Sequence, residues 1–224
     1  MSPETAKPTL TFAEEVMLLV LDDETGRIAP IGSYALNLTL AGAVLMDLAQ
    51  RARIDADEDK IAVIDRSPTG EEILDPTLAQ LAESPEPHDA RYWVEEISGA
   101  GEEIKEKALE HLVRRGILQV VDQKILWVFE TRRYPMVDCK EEQEVRERIL
   151  EVVLGEMTPG PRDVVLICLA DACSIFESIL SPDQLERVAG RIAEIRHLNL
   201  IGEAVASAVE QLRLQIALAI ARAP

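Results

Sequence analysis

A mainly α-helical protein with an aliphatic core is what this chain predicts, on three observations. Residues 36–54, LNLTLAGAVLMDLAQRARI, are apolar almost without relief up to Gln50. A helix that is apolar on every side must be enclosed by other helices or by lipid, and this run falls short of the roughly 20 apolar residues that a bilayer crossing needs. It is therefore the central helix of a protein core, with Arg51 and Arg53 complementing its C-terminal dipole. Second, 47% of the 224 residues are hydrophobic but only 4% aromatic, so Leu, Ile, Val and Ala must fill the interior. Third, apolar residues recur at helical spacing through most of the remaining chain.

Each element follows in order. Residues 1–9 read as disordered, and 10–224 as one domain, since no repeat or linker divides them. Thr11-Phe-Ala-Glu14 has the form of a capping box and opens a helix running to about Leu21. Asp22-Asp-Glu-Thr-Gly26 is a turn, and 27–34 a loop into the central helix. Residues 61–65 alternate like a short strand, punctuated by Ser67-Pro-Thr-Gly70. Short helices follow over 73–82 and 92–97, separated by a Pro-rich bend at 83–89. An amphipathic helix over 102–115 carries Ile104, Ala108 and Leu112 on one face and stops at Gly116. Two β-prone runs, 117–121 and 125–129, flank the polar turn Asp122-Gln-Lys124 and predict a hairpin. Helices then occupy 141–154, 162–180, 182–198 and about 202–222. Of these, 164–180 is the second core helix, and Pro182 suits a first helical position.

Lys+Arg 23 against Asp+Glu 41 leaves a net charge of −18, which disfavours nucleic acid and anionic membranes at long range. A local basic island could still act on its own, because charges are screened beyond about 8 Å at physiological salt. Cys139, Cys168 and Cys173 are an odd number in a long chain and read as buried small side chains rather than a disulfide framework. With a polar, Pro-containing start at 1–8, a cytoplasmic location is expected. His88, His111 and His197 have no partner at metal-ligand or triad spacing, no serine sits in a nucleophile elbow, and there is no glycine-rich phosphate loop. No enzyme, no cofactor and no metal are expected. The acidic clusters at 57–59 and 141–142 read as solvated faces. The helix and hairpin over 102–130 resemble the back half of a winged helix, but seven Lys/Arg against six Asp/Glu over 101–133 make a weak groove reader. A hairpin used for packing or self-association is the favoured reading.

Four blocks in one order carry a family resemblance: 10–23 (LTFAEEVMLLVLDD) with Gly26, 40–54, 67–78 (SPTGEEILDPTL) and 112–129 (LVRRGILQVVDQKILWVF). Trp93 with Ile97-Ser98-Gly99 fits between the third and fourth, and 164–180 with Leu169-Ala170 and Phe176-Glu177 fits after them. The set resembles the Golgi phosphoprotein 3 family over nearly the whole chain. The resemblance implies a core bundle ringed by amphipathic helices, with one projecting β-hairpin and no catalysis. It implies a peripheral adaptor on the cytosolic face of a membrane, which binds the phosphatidylinositol 4-phosphate headgroup and the cytosolic tails of membrane proteins. It also implies a homo-oligomer formed through the hairpin, here Val120, Val121, Asp122, Gln123, Lys124, Ile125 and Leu126. The family's headgroup pocket uses one Trp and three Arg. Their positions fall on Gly32, Ala41, Glu102 and Lys105, of which only Lys105 keeps the charge.

Arginine offers phosphate a bidentate fork that lysine lacks, and hydrogen bonds to charged groups are worth about 1.5–3 kcal/mol each. The expectation is therefore an adaptor whose headgroup site has largely lost its ligands. The alternatives are a protein-interaction module with no lipid ligand and, less favoured, a winged-helix-like nucleic-acid binder.

Overall fold

A computed structural model describes residues 9–22, 25–57, 60–125, 129–137, 140–155, 157–172 and 174–196. It is mainly helical, with two small antiparallel pairs of strands. The first helix, α1 (Phe12–Val20), opens on the expected capping box. The Thr11 hydroxyl accepts from the Glu14 N–H at 3.3 Å, and the Glu14 carboxylate accepts from the Thr11 N–H at 2.6 Å. Every residue of α1 is buried, so it shares the centre of the bundle with α2 (Ser33–Gln50). The turn between them is held by Asp22, whose side chain accepts from Thr25 and whose carbonyl accepts from the Gly26 N–H at 2.8 Å.

Helix α2 touches α1, α4 (Ala90–Ser98), α5 (Gly101–Arg114) and α7 (Pro161–Ala172). Its interior row includes Leu38, Leu40, Leu45 and Leu48, all 1% exposed or less. Burying a leucine is worth roughly 1.5–3 kcal/mol, so this row accounts for much of what holds the layers together. Beyond α2, Arg51 and Arg53 do something other than complement the helix dipole. Arg51 pairs with Glu71 at 3.3 Å and Arg53 with Asp65 at 2.8 Å, so both tie α2 to the chain that follows. Between them Ala52 holds φ +53, a left-handed conformation that costs an alanine about 1–2 kcal/mol. Ala52→Gly is expected to raise stability by about 0.5–1 kcal/mol, after the extra unfolded-state entropy of glycine is subtracted. Urea unfolding of the two proteins checks this.

Four expectations need correction. Within 61–65 a strand does form, β2 (Ile61–Val63), and it pairs with β1 (Ile54–Ala56), which begins at Ile54, the residue expected to end the central helix; α2 stops instead at Gln50, and Ile54 stands opposite Val63. The hairpin consists of β3 (Val121–Ile125) and β4 (Phe129–Arg133), with Ile125 opposite Phe129. Asp122, Gln123 and Lys124 therefore lie within a strand and not in the turn. They contain no glycine, so nothing in them fixes a tight two-residue reversal at that point, and the pairing runs on to Ile125. The predicted helix 162–180 is broken: α7 ends at Ala172, Ser174 is left-handed at φ +58, and α8 (Ile175–Ile179) restarts at a new angle. The break lets Ile175 and Phe176, each 1% exposed, both enter the core. Glu142, in α6 (Lys140–Val153), is 1% exposed and paired with Arg146, so it is not on a solvated face. Helix α9 (Pro182–Arg196) starts at Pro182 as expected. The last predicted helix, Leu126, Cys139, Cys173 and His197 lie outside the described residues. Cys168 is buried, and burial pushes its thiol up to about 12, which leaves it unreactive at neutral pH.

Candidate functional site

The four residues at the expected headgroup positions fall on α2 and its N-cap and on the N-terminal half of α5, two helices in contact. Gly101, at the start of α5, is pressed against Asn37 of α2, so that a Cβ there would overlap the Asn37 side chain. This sets the first turn of α5, with Glu102 and Lys105, beside the second turn of α2. Gly32 is the exposed N-cap of α2, with open space where a side chain would go. Ala41 lies one turn beyond Asn37 and is completely buried. Lys105 is ion-paired with Glu102, one turn before it. Lys107 is held likewise by Glu103 at 2.7 Å. Neither α2 nor α5 has a side-chain cap at its N-terminus, but Glu102 and Glu103 already occupy the first turn of α5 and meet its dipole. The Glu102 carboxylate competes with any incoming anion for the Lys105 ammonium. Arg51 is at the opposite end of α2, 14 residues beyond Asn37 and so about 21 Å along the helix at 1.5 Å per residue.

The hairpin is rooted on the bundle by backbone pairing. Gln119 donates to the Pro135 carbonyl at 3.1 Å, Val137 to Ile117 at 2.9 Å, and Tyr134 to the Gly26 carbonyl at 2.9 Å. Gly26 has φ +62, and a side chain there would run into the Tyr134–Pro135 backbone. The chain can pass that closely only because position 26 has no Cβ. At the root, Val120, Val121 and Val137 are exposed apolar residues.

Two clefts flank the C-terminal half of α5. One, of about 570 Å³, is lined by Glu72, Glu106, Glu110, Val113, Arg114, Val120 and Tyr134. The other, of about 320 Å³, lies between α1 and the Gly70–Glu72 turn, with Thr9, Glu14, His111, Arg114 and Arg115 on its walls. His111 stands between two carboxylates, 3.8 Å from Glu14 and 3.4 Å from Glu72. Hydrogen bonds from Arg114 and His111 hold the Glu72 carboxyl below its usual range. His88 instead stacks on Tyr92 at 3.7 Å. Among the described residues no group of three or more His, Cys, Asp or Glu side chains is placed to hold a metal ion, and no helix is long and apolar enough to cross a membrane.

Sequence reasoning missed the buried charges. Asp47 is 2% exposed, and its Oδ2 accepts the Phe12 N–H at 2.7 Å. Burial pushes its carboxyl up to about 7, with the Phe12 N–H, Arg162 and Arg51 opposing and Glu15 adding to the shift. Glu15 is also raised by burial, against the pull of Arg162 and Arg148. A single aspartate inside the apolar run of α2 was the available signal, because an isolated charge there is costly unless it is hydrogen-bonded.

Fold and surfaces together define a helical-bundle protein with a hairpin rooted between its first two helices. The chain belongs to the Golgi phosphoprotein 3 (GPP34) family, whose model matches residues 12–212. It is 30% identical over 217 residues to vacuolar protein sorting-associated protein 74 of Eremothecium gossypii, covering 82% of this chain and 65% of the relative. It is 24% identical over 227 residues to the protein of the same name in Schizosaccharomyces pombe, covering 84% of this chain and 66% of the relative. The chain thus spans just under two thirds of the length of these relatives.

Proposed function

We propose that this protein is a non-catalytic adaptor of the Golgi phosphoprotein 3 type, held at a membrane surface by the cytosolic tails of membrane proteins and not by a phosphoinositide headgroup. The observation that carries the first half is family membership over residues 12–212. The second half rests on the α2–α5 crossing, where Gly32 and Ala41 stand in place of Trp and Arg, and where Lys105 is neutralised by Glu102. Without those arginines, specific affinity for the headgroup falls by several kcal/mol, which is about three decades.

Co-sedimentation at physiological salt tests this with three surfaces: plain vesicles, vesicles containing phosphatidylinositol 4-phosphate, and membranes from the source cells before and after protease shaving. Retention on native membranes that disappears on shaving is expected, with neither vesicle retaining the protein. Retention that depends on phosphatidylinositol 4-phosphate, or binding that survives shaving, would overturn the reading.

Self-association through the hairpin is a second reading, favoured by the exposure of Val120 and Val121 at its start. Val120→Glu is expected to lower the mass measured by light scattering; an unchanged mass counts against it.

A further inference from the structure

An ionic cluster bolts the start of α1 to three other helices, and its most enclosed aspartate, Asp47, has no ion-pair partner among the described residues. Glu15 of α1 receives Arg162 of α7 at 2.6 Å and Arg148 of α6 at 3.2 Å. Arg148 also pairs with Asp163 at 2.8 Å. Arg162 further donates to the Leu10 carbonyl at 2.5 Å and to Gln50 Oε1 at 3.1 Å, and its guanidinium lies 4.3 Å from the centre of the Phe12 ring. On the other side Asp47 of α2 holds the Phe12 N–H. Arg148 and Arg162 thus spend their ion pairs on Glu15 and on the half-buried Asp163, not on Asp47. Arg51, the next cation to bear on Asp47, is engaged by Glu71. Glu14, the other buried acid of α1, faces His111 and Arg115 of α5 instead. Ionised, Asp47 would be a buried carboxylate held by one N–H and, among the described residues, by no ion pair, and a buried charge without a partner is strongly unfavourable. One proton removes that charge.

We propose that this cluster is a proton-operated latch: with one proton bound, residues 10–12 are held against α2 and α7, and when the proton leaves, the start of α1 loosens. The inference goes beyond the adaptor reading and does not depend on it. Asp47 is the group that takes the proton, because burial raises its carboxyl from 3.8 to about 7. The sign follows from linkage. A carboxyl whose pKa is higher when the latch is closed favours closure at low pH, and this contribution is lost as pH rises through about 7. Between pH 6 and 8 the closed form loses about tenfold in its advantage. Thr9 and Glu14, on either side of the latched residues, also line the smaller cleft beside His111, Arg114 and Arg115, so opening the latch reshapes that cleft.

Two NMR measurements on the full chain test the proposal. The Asp47 carboxyl carbon should titrate with a midpoint near 7; a midpoint near 4 would sink the idea. Amide protection at Phe12 should fall about tenfold from pH 6 to pH 8 and should lie below that of Leu109 in α5. Protection at Phe12 that is independent of pH, or equal to that at Leu109, would mean that the start of α1 opens only with the whole protein, and overturns the latch. In Asp47→Asn the tenfold pH dependence should vanish, and its persistence would overturn the assignment. If that variant does not fold, the two wild-type measurements decide.

Discussion

Replacing Arg162 with alanine is expected to lower the free energy of unfolding by about 3 kcal/mol, the low end of what removing one partner from a buried ion pair costs. The low end applies because Glu15 keeps Arg148. The variant also deprives the Leu10 carbonyl of its donor and the Phe12 ring of the stacked guanidinium. The loss should depend on pH in a definite direction. The Arg162 charge lowers the pKa of both Glu15 and Asp47, so its removal raises both further above their unfolded values. Carboxyls with raised pKa values favour the folded state only while protonated. The deficit should therefore be larger at pH 8 than at pH 5, as urea unfolding at the two pH values would show. Arg162→Lys retains the charge but not the fork, and should recover part of the loss. A deficit below 1 kcal/mol, or one identical at both pH values, would contradict the burial and pairing described for this cluster.

Gly26→Ala is expected to cost about 3 kcal/mol, from two sources. Alanine at φ +62 is strained by about 1–2 kcal/mol. Its methyl would also press into the backbone of Tyr134 and Pro135, with the Tyr134 carbonyl carbon only 2.6 Å away. Backbone cannot swing aside as a side-chain tip does, and forced overpacking of this kind costs about 1–3 kcal/mol. The root must therefore shift, with loss of the Tyr134 N–H bond to Gly26. Faster amide exchange at Tyr134 and Gln119, together with a lower urea midpoint, is the expected result. Gly32→Ala is the matched control. Position 32 has φ −58 and open space around it, so a change within about 0.5 kcal/mol is expected there.

How much was legible follows from where local chemistry acts alone. The capping box at Thr11–Glu14 and the Pro182 start are decided within one turn, and both are as expected. The Leu36–Leu48 run declared a buried helix because nothing but burial accommodates it. The split at Ser174 and the slip of the hairpin were not legible. In each, the deciding factor is tertiary: Ile175 and Phe176 must reach the core, and β4 must align with residues that lead to Gly26. Strand β1 was hidden because Ile54 continues the apolar pattern of α2. The resemblance places the expected headgroup positions at Gly32, Ala41, Glu102 and Lys105. The Glu102–Lys105 pair and the complete burial of Ala41 needed coordinates. The charges around α1 were the largest omission. Glu14 and Glu15 look like ordinary first-turn acids, and only their partners on α5, α6 and α7, far along the chain, reveal them as interior groups.

Because Tyr134 grips Gly26, and Gly26 lies six positions before Gly32, the hairpin and the entrance to α2 form one mechanical train. A torque applied to the hairpin has its fulcrum at that glycine and is delivered to the entrance of α2. A displacement of the hairpin root is therefore transmitted to the head of α2.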